Sequence, residues 1–243
     1  MKIIISNTYE EMSGKAVGQL LNILQPIKNP LLCTASGDSP KGMYRELIRH
    51  VKENDIDISG WTFLSLDEWS GMSGNDEGSC RFHLNNDLLR PLNVQEDKIV
   101  FFDGRASNAE EECDRIENFI SHHGGIDVAI VGLGMNGHVG MNEPGTPIGS
   151  RTHVAEIDST TQIVGQKYFK EEQKLTHGLT LGLTTLLKTT YVMLVASGSK
   201  KAAIVQQVLE EEISEQLPAS ILRNHEHFYV YLDSDAASQL TEK

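Results

Sequence analysis

Short runs that are apolar at almost every position alternate along this chain with longer segments whose apolar residues recur at helical spacing. KIIIS (2–6) precedes YEEMSGKAVGQLLNIL, NPLLCTA (29–35) precedes SPKGMYRELIRHVKEN, and WTFLSL (61–66) leads through a polar loop into CRFHLNNDLLRPL. KIVFFD (98–103) precedes NAEEECDRIENFISHH, and YVMLVAS (191–197) precedes KKAAIVQQVLEEE. IDVAIVG (126–132), THVAEI (152–157) and FYVYLD (228–233) complete the strand-like series. A strand that is apolar on both faces has to be covered on both, which is the condition of a parallel strand inside a sheet. The alternation therefore predicts an α/β fold, a doubly wound, mostly parallel sheet with helices on both faces and right-handed crossovers. No repeat, low-complexity tract or linker interrupts the 243 residues, so one domain over 1–243 is expected. Ligands of such sheets bind off the carboxyl ends of the strands, and the chemistry is sought in the loops there.

Charge narrows the partners. Lys and Arg number 21 against 34 Asp and Glu, a formal net charge of −13 with a pI near 5.1. Nucleic acid and anionic membrane surfaces need a basic face, so neither is expected as a partner. A small anion in a local basic pocket remains compatible. No apolar run approaches the roughly 18 residues of a membrane span, and MKIIISNTYEEMS reads as a first strand and helix start rather than a signal peptide. Cys33, Cys80 and Cys113 lack metal-ligand spacing and are expected as reduced packing thiols of a cytoplasmic protein, with no metal.

Four strand-end loops carry candidate chemistry. In TASGDSP (Thr34 to Pro40), small residues permit close backbone approach, Ser36 and Ser39 add hydroxyls, and a helix amino terminus favours an anion. The same residues fit an ordinary turn with Ser39 as N-cap and Pro40 at the first helical position, and Asp38 would repel an anion. SLDEWSGM offers Asp67 and Glu68, either of which is a candidate general base, or both a solvated pair, while Trp69 is expected to pack. ASGSKKA places Lys201 at a helix start, as a phosphate partner or as one of a solvated lysine pair.

The fourth loop, GLGMNGHVGMNEPG (Gly132 to Gly145), opens with the dinucleotide-binding pattern GxGxxG. That pattern requires a helix directly after the glycines. Gly140, Pro144, Gly145, Pro147 and Gly149 leave no room for one, so Glu156 or Asp158, at about the distance of a ribose-binding acid, loses its meaning. The run is better taken as a tightly folded loop presenting His138 and Glu143. An imidazole of ordinary pKa near 6.5 suits proton transfer at neutrality, and a nearby carboxylate would fix its tautomer.

Taken in order, SGDSP, LDEW, GLGMNGHVGMNEPG, SRTH, HGLTLGL and SGSKKA resemble the glucosamine-6-phosphate deaminase/isomerase family, including its galactosamine-6-phosphate branch, over nearly the whole chain. The resemblance implies a Rossmann-like α/β domain that opens an aminosugar phosphate ring, isomerises aldose to ketose and releases ammonia, with no redox cofactor or catalytic metal. It implies that Asp67 carries a proton between carbon 2 and carbon 1. His138 would open the ring, Glu143 would orient and tune it, and position 136 would complete the relay. The sugar phosphate would be held by Ser39 and the backbone of its loop (Ser36, Gly37, Asp38), with Lys201 and Lys167. The base would need burial to raise its pKa from about 3.9, and the polar segment between THVAEI and HGLTLGL is a candidate lid over a reactive enolamine.

The chain departs from the family pattern in places. Asn136 stands where many members have Asp, so it can orient His138 but supplies no charge. Lys167 replaces an Arg and loses the bidentate fork. Asp38 occupies a position usually small. His153 and Ala155 replace basic residues that bind an allosteric sugar phosphate in regulated members, so such control is not expected. LDEW, the GSC at Gly78 to Cys80 and the Asn136-containing loop lean slightly toward the galacto branch. A 6-phosphogluconolactonase ranks lower because its loop lacks NEPG. A non-catalytic sugar-phosphate sensor ranks lower because a DNA-binding helical domain would be expected ahead of the first strand. Monomer and homo-oligomer are both compatible with the sequence.

Overall fold

A computed structural model describes residues 1–241. Strands β1 (Lys2–Ser6), β2 (Leu31–Thr34), β3 (Thr62–Ser65), β5 (Ile99–Val100), β6 (Val128–Gly132), β9 (Tyr191–Ala196) and β10 (Phe228–Asp233) form a seven-stranded sheet in the order β1-β10-β9-β6-β2-β3-β5. Every pairing in it is parallel. The apolar runs behave as their composition requires. Alternate residues of one strand enter different cores: Leu31, Cys33, Ala129 and Val131 on one face, Leu32, Val128 and Ile130 on the other.

Helices α1 (Tyr9–Leu24) and α2 (Asp38–Glu53) cover the second of these faces through Met12, Leu20, Met43 and Leu47. Helices α4 (Ala109–His123), α6 (Leu183–Leu187) and α7 (Ala202–Glu210) cover the first. Helix α4 starts and stops as its sequence dictates. Asn108 accepts from the backbone N–H groups of Glu110 and Glu111, and Gly124 takes the left-handed conformation at the end, φ 99°. Among the described residues no helix is long and apolar enough to cross a membrane.

Three expectations change. THVAEI does not join the parallel sheet: β7 (His153–Glu156) pairs antiparallel with β8 (His177–Thr180), which pairs antiparallel with β4 (Asp67–Trp69) in a separate three-stranded sheet. No crossover helix precedes β7, only the long glycine- and proline-rich loop, so the chain arrives without the connection a parallel strand needs. The acids of LDEW consequently lie in a strand rather than a loop. CRFHLNNDLLRPL is α-helical only over α3 (Cys80–Leu84) and widens into a π turn at Asn85–Leu89. The small sheet packs over a third cluster containing Trp69, Cys80, Met141 and Leu175. Trp69 packs there, as expected, and all three cysteines are free and buried.

Candidate active site

The order of the large sheet reverses between β2 and β6: β3 and β5 continue on one side, β9 and β10 on the other. A crevice opens at the carboxyl ends of strands where such a reversal occurs. Here it is a cavity of about 660 Å³, within the range that holds a small metabolite. Ser36, Gly37, Asp38 and Ser39 line it from the end of β2, and the loop after β6 contributes His138. Asp67 enters from β4 and Lys201 from the turn after β9. The segment that returns to β8 adds helix α5 (Ser159–Gly165) and Lys167.

Adjacent positions of β4 send the two acids to different surroundings. Glu68 is buried, and its carboxylate accepts from the backbone N–H groups of Trp69 (2.9 Å), Cys80 (2.8 Å) and Arg81 (2.9 Å), closing the start of α3. Asp67, 9 % exposed, lines the cavity instead. Burial raises its pKa to about 7, opposed by a hydrogen bond from Cys80 and reinforced by the neighbouring Glu68 charge. Burial raises Glu68 as well, against its three backbone donors, but of the two candidate bases it is Asp67 that lines the cavity.

The GLGMNGHVGMNEPG loop folds back on itself through Gly134 N–H to His138 O (2.9 Å) and an isolated bridge between Val139 and Asn142. No helix follows, as its punctuation predicts. A Cβ on Gly134 would lie 2.2 Å from the imidazole of His138, so glycine there lets the ring lie against the backbone. Asn136 connects the ring to the acid. Its Nδ2 donates to Glu143 Oε2 (2.8 Å) and to Asp158 Oδ1 (3.1 Å). Its Oδ1 faces the imidazole, 2.7 Å from His138 Nδ1. An amide oxygen only accepts, so Nδ1 carries the proton and Nε2 is left as the basic nitrogen.

The structure gives the expected relay through position 136 a definite form and corrects one expectation about His138, its ordinary pKa. Glu143 does not bond the imidazole directly: its Oε2 is 3.5 Å from Nδ1, and Asn136 carries the link. Nor is the ring near its ordinary pKa. Burial and the charge of Lys201 push it down to about 4, against the pull of Asp158, so it is neutral at physiological pH. Glu143 is raised by burial and steadied by hydrogen bonds from Asn136 and Thr161.

At the other end of the cavity, α2 begins differently from the capped turn expected of Ser39 and Pro40. Gly37 occupies the N-cap with φ 106°, a conformation that favours glycine, and no side chain caps the helix. Ser39 and Pro40 lie inside the first turn. The loop is braced from below by Tyr44, fully buried, whose hydroxyl donates to Ala35 O at 2.6 Å. Asp38 has an account here that the sequence did not give: its carboxylate meets Lys167 Nζ at 2.7 Å and Lys41 Nζ at 3.5 Å. Lys167 is thus paired with an acid. Lys201 Nζ donates to Leu133 O, and burial lowers its pKa to about 8. Sequence reasoning missed Thr161, whose hydroxyl oxygen is 3.0 Å from His138 Nδ1, and gave Asp158 no role. The run DSTT, a capping acid before a helix, was the available signal: Asp158 accepts from Thr160 N–H at 2.8 Å.

Comparison with known proteins places the whole chain in one family. Residues 9–230 match the family described as glucosamine-6-phosphate isomerases/6-phosphogluconolactonase. A glucosamine-6-phosphate deaminase of Bacillus velezensis is 36% identical over 238 residues, 98% of this chain and 99% of that relative. One of Clostridium perfringens is 34% identical over 241 residues, 99% and 100% of the two chains. The structure of a monomeric glucosamine-6-phosphate deaminase, 34% identical, superposes with a TM-score of 0.95 over 98% of this chain and 100% of that one. The 6-phosphogluconolactonase of Trypanosoma brucei, 18% identical with a TM-score of 0.77 over 99% and 98%, shares the fold. With one profile spanning most of its length and relatives matched from end to end, the chain belongs to the glucosamine-6-phosphate isomerase/6-phosphogluconolactonase family.

Proposed function

We propose that this protein is a deaminase/isomerase that converts a hexosamine 6-phosphate into a ketohexose 6-phosphate and ammonia, in amino sugar catabolism. The observation that carries the reading is the pair of oppositely shifted proton carriers in one cavity, a carboxyl raised to about 7 and an imidazole lowered to about 4. Groups whose surroundings push their pKa values apart divide acid and base roles between them.

In this reading His138 Nε2 takes the proton of the anomeric hydroxyl and delivers it to the ring oxygen as the ring C–O bond breaks, which gives the open-chain aldehyde and restores the neutral imidazole. The amide of Asn136, backed by Glu143, stabilises the imidazolium that forms. Asp67 removes the proton from carbon 2, giving an enolamine, and returns it to carbon 1. The imine left at carbon 2 is hydrolysed by water, and ammonia leaves. Ring opening and the shift from carbon 2 to carbon 1 both turn on proton transfer, for which a base near neutral pKa combines availability with driving force. The open N-terminus of α2, with Ser39, Lys201 and a Lys167 released from Asp38, would receive the phosphate. One domain over 1–243 houses the reaction.

The relatives' names support glucosamine 6-phosphate as substrate, with galactosamine 6-phosphate as its comparison at carbon 4. Ammonia release measured with both sugars tests the proposal. Turnover of either supports it. Binding of both without ammonia would favour a sensor, and a D67N variant with full turnover would refute the assigned base.

A further inference from the structure

The relay at His138 contains an uncharged residue where a charge would be useful, and a carboxylate from another element stands beside it. We infer that Asp158 adds a second negative charge to this relay, beside that of Glu143, through the amide of Asn136, which makes the start of α5 a positioning element of the site. The role in turnover rests on the deaminase reading above.

An amide has two N–H donors. Asn136 points its Nδ2 at Glu143 Oε2 and Asp158 Oδ1, at 2.8 and 3.1 Å, so both donors meet carboxylates. This decides which way the amide faces. With Nδ2 committed, Oδ1 must meet the imidazole, and it accepts from His138 Nδ1 at 2.7 Å and from the His138 backbone N–H at 3.2 Å. A flipped amide would place its oxygen against two carboxylates. Asp158 therefore fixes the tautomer of His138 as well as adding charge, and it polarises the Nδ1–H bond through the amide. Thr161, within the same helix, sets its hydroxyl 3.0 Å from Nδ1 and donates to Glu143.

The charges around the ring come from several elements. Glu143 lies on its own loop at 3.5 Å, Asp158 precedes α5, and Lys201 follows β9; Asp67 of β4 and Lys167 line the same cavity. Lys201 disfavours the imidazolium and Asp158 favours it. Asp158 does not line the cavity, so it acts on the ring and not on the ligand.

The test is D158N, D158N/N136D and N136D. Asn is as good an N-cap as Asp, so D158N keeps the start of α5 and removes the charge. The expected result is a fall in kcat of about 3- to 10-fold, the size of a half to one unit change in a neighbour's pKa, with KM for the sugar phosphate nearly unchanged. The acid limb of kcat/KM moves to lower pH, because the imidazolium loses a negative neighbour. The swap D158N/N136D returns the carboxylate to the relay and the amide to position 158, and recovers kcat. N136D alone crowds three carboxylates and does not improve on wild type. A ¹⁵N NMR titration of His138 without substrate reads the same charge directly: its midpoint falls in D158N and rises again in the swap. A D158N enzyme with wild-type kcat, acid limb and His138 midpoint would overturn the inference, as would a loss that the swap leaves unrepaired. If the wild-type chain releases no ammonia from either sugar, the deaminase reading fails, and the His138 midpoint still decides the relay.

Discussion

Replacing Asp67 by Asn should make the protein more stable at neutral pH while removing its turnover. Asp67 is 9 % exposed, and burial raises its pKa from 3.8 to about 7. Below pH 4 the carboxyl is protonated in both folded and unfolded chains and costs nothing. Between pH 4 and pH 7 the unfolded chain has released the proton while the folded chain still holds it, so stability falls as pH rises, and above 7 the cost is constant. At about 1.4 kcal/mol per pKa unit, the ionised group costs the native state roughly 4 kcal/mol at pH 8, an upper value because the structure relaxes around a buried charge. Asparagine has the same shape, keeps an acceptor oxygen for Cys80 and has no charge to bury. Urea titrations of wild type and D67N at pH 5 and pH 8 isolate the effect, since every other titrating group is common to both. The D67N advantage should widen by roughly 2–3 kcal/mol between the two pH values, while kcat falls about 10²- to 10⁴-fold, the usual contribution of a general base. A difference in midpoint that is the same at both pH values, or a D67N variant less stable at pH 8, would refute the argument.

Three further outcomes follow from the same geometry. D38A releases Lys167 from its 2.7 Å partner, and KM for the sugar phosphate should fall about 2- to 5-fold with kcat unchanged, as befits a half-exposed pair; a rise in KM would mean that Asp38 positions Lys167 instead of occupying it. G134A places a Cβ 2.2 Å from the His138 ring, so kcat should drop about 100-fold through misalignment while urea unfolding remains cooperative, and full turnover would show that the ring is not held where the structure has it. Lys201 loses its charge as pH rises through about 8, so KM should climb above that pH, and K201M should raise KM about 10- to 100-fold, the value of a charge-assisted hydrogen bond, and flatten the climb.

What could be read in the sequence was what short range decides. A run such as DVAIV is apolar on both faces whatever lies around it, so the parallel sheet was visible, and the prolines and glycines after Gly137 excluded a nucleotide-binding helix by local geometry alone. The four loops, with Asp67, Glu68 and His138 in them, stood out because a strand end in such a sheet faces the crevice, and the choice of Asp67 over Glu68 came from the family resemblance. What could not be read depended on pairings across the chain. The three-residue β4 exists because Asp67 to Trp69 pair with Gly178 to Thr180. Asp38 makes sense only once Lys167, 129 positions away, is beside it. His138 looked like an ordinary imidazole because neither its burial nor Lys201 is a property of its own loop.

Asp67 and Glu68 are the sharpest case of what the fold adds. They are neighbouring carboxylic acids of nearly equal intrinsic acidity, and composition cannot tell them apart. Placed in a strand, successive side chains leave on opposite sides. One side of β4 faces the first turn of α3, where backbone N–H groups have no helical partners, and Glu68 satisfies three backbone donors. The other side faces the cavity, where Asp67 finds burial without comparable donors. The acid that is hydrogen-bonded to the backbone holds the structure together. The acid that is buried without such bonds destabilises its own charged form, and that is what brings its pKa to the range in which it can give and take a proton. Burial raises both acids, but at Glu68 three backbone donors oppose it, while at Asp67 a single hydrogen bond from Cys80 does, and a single strand pairing decides which acid meets which surroundings.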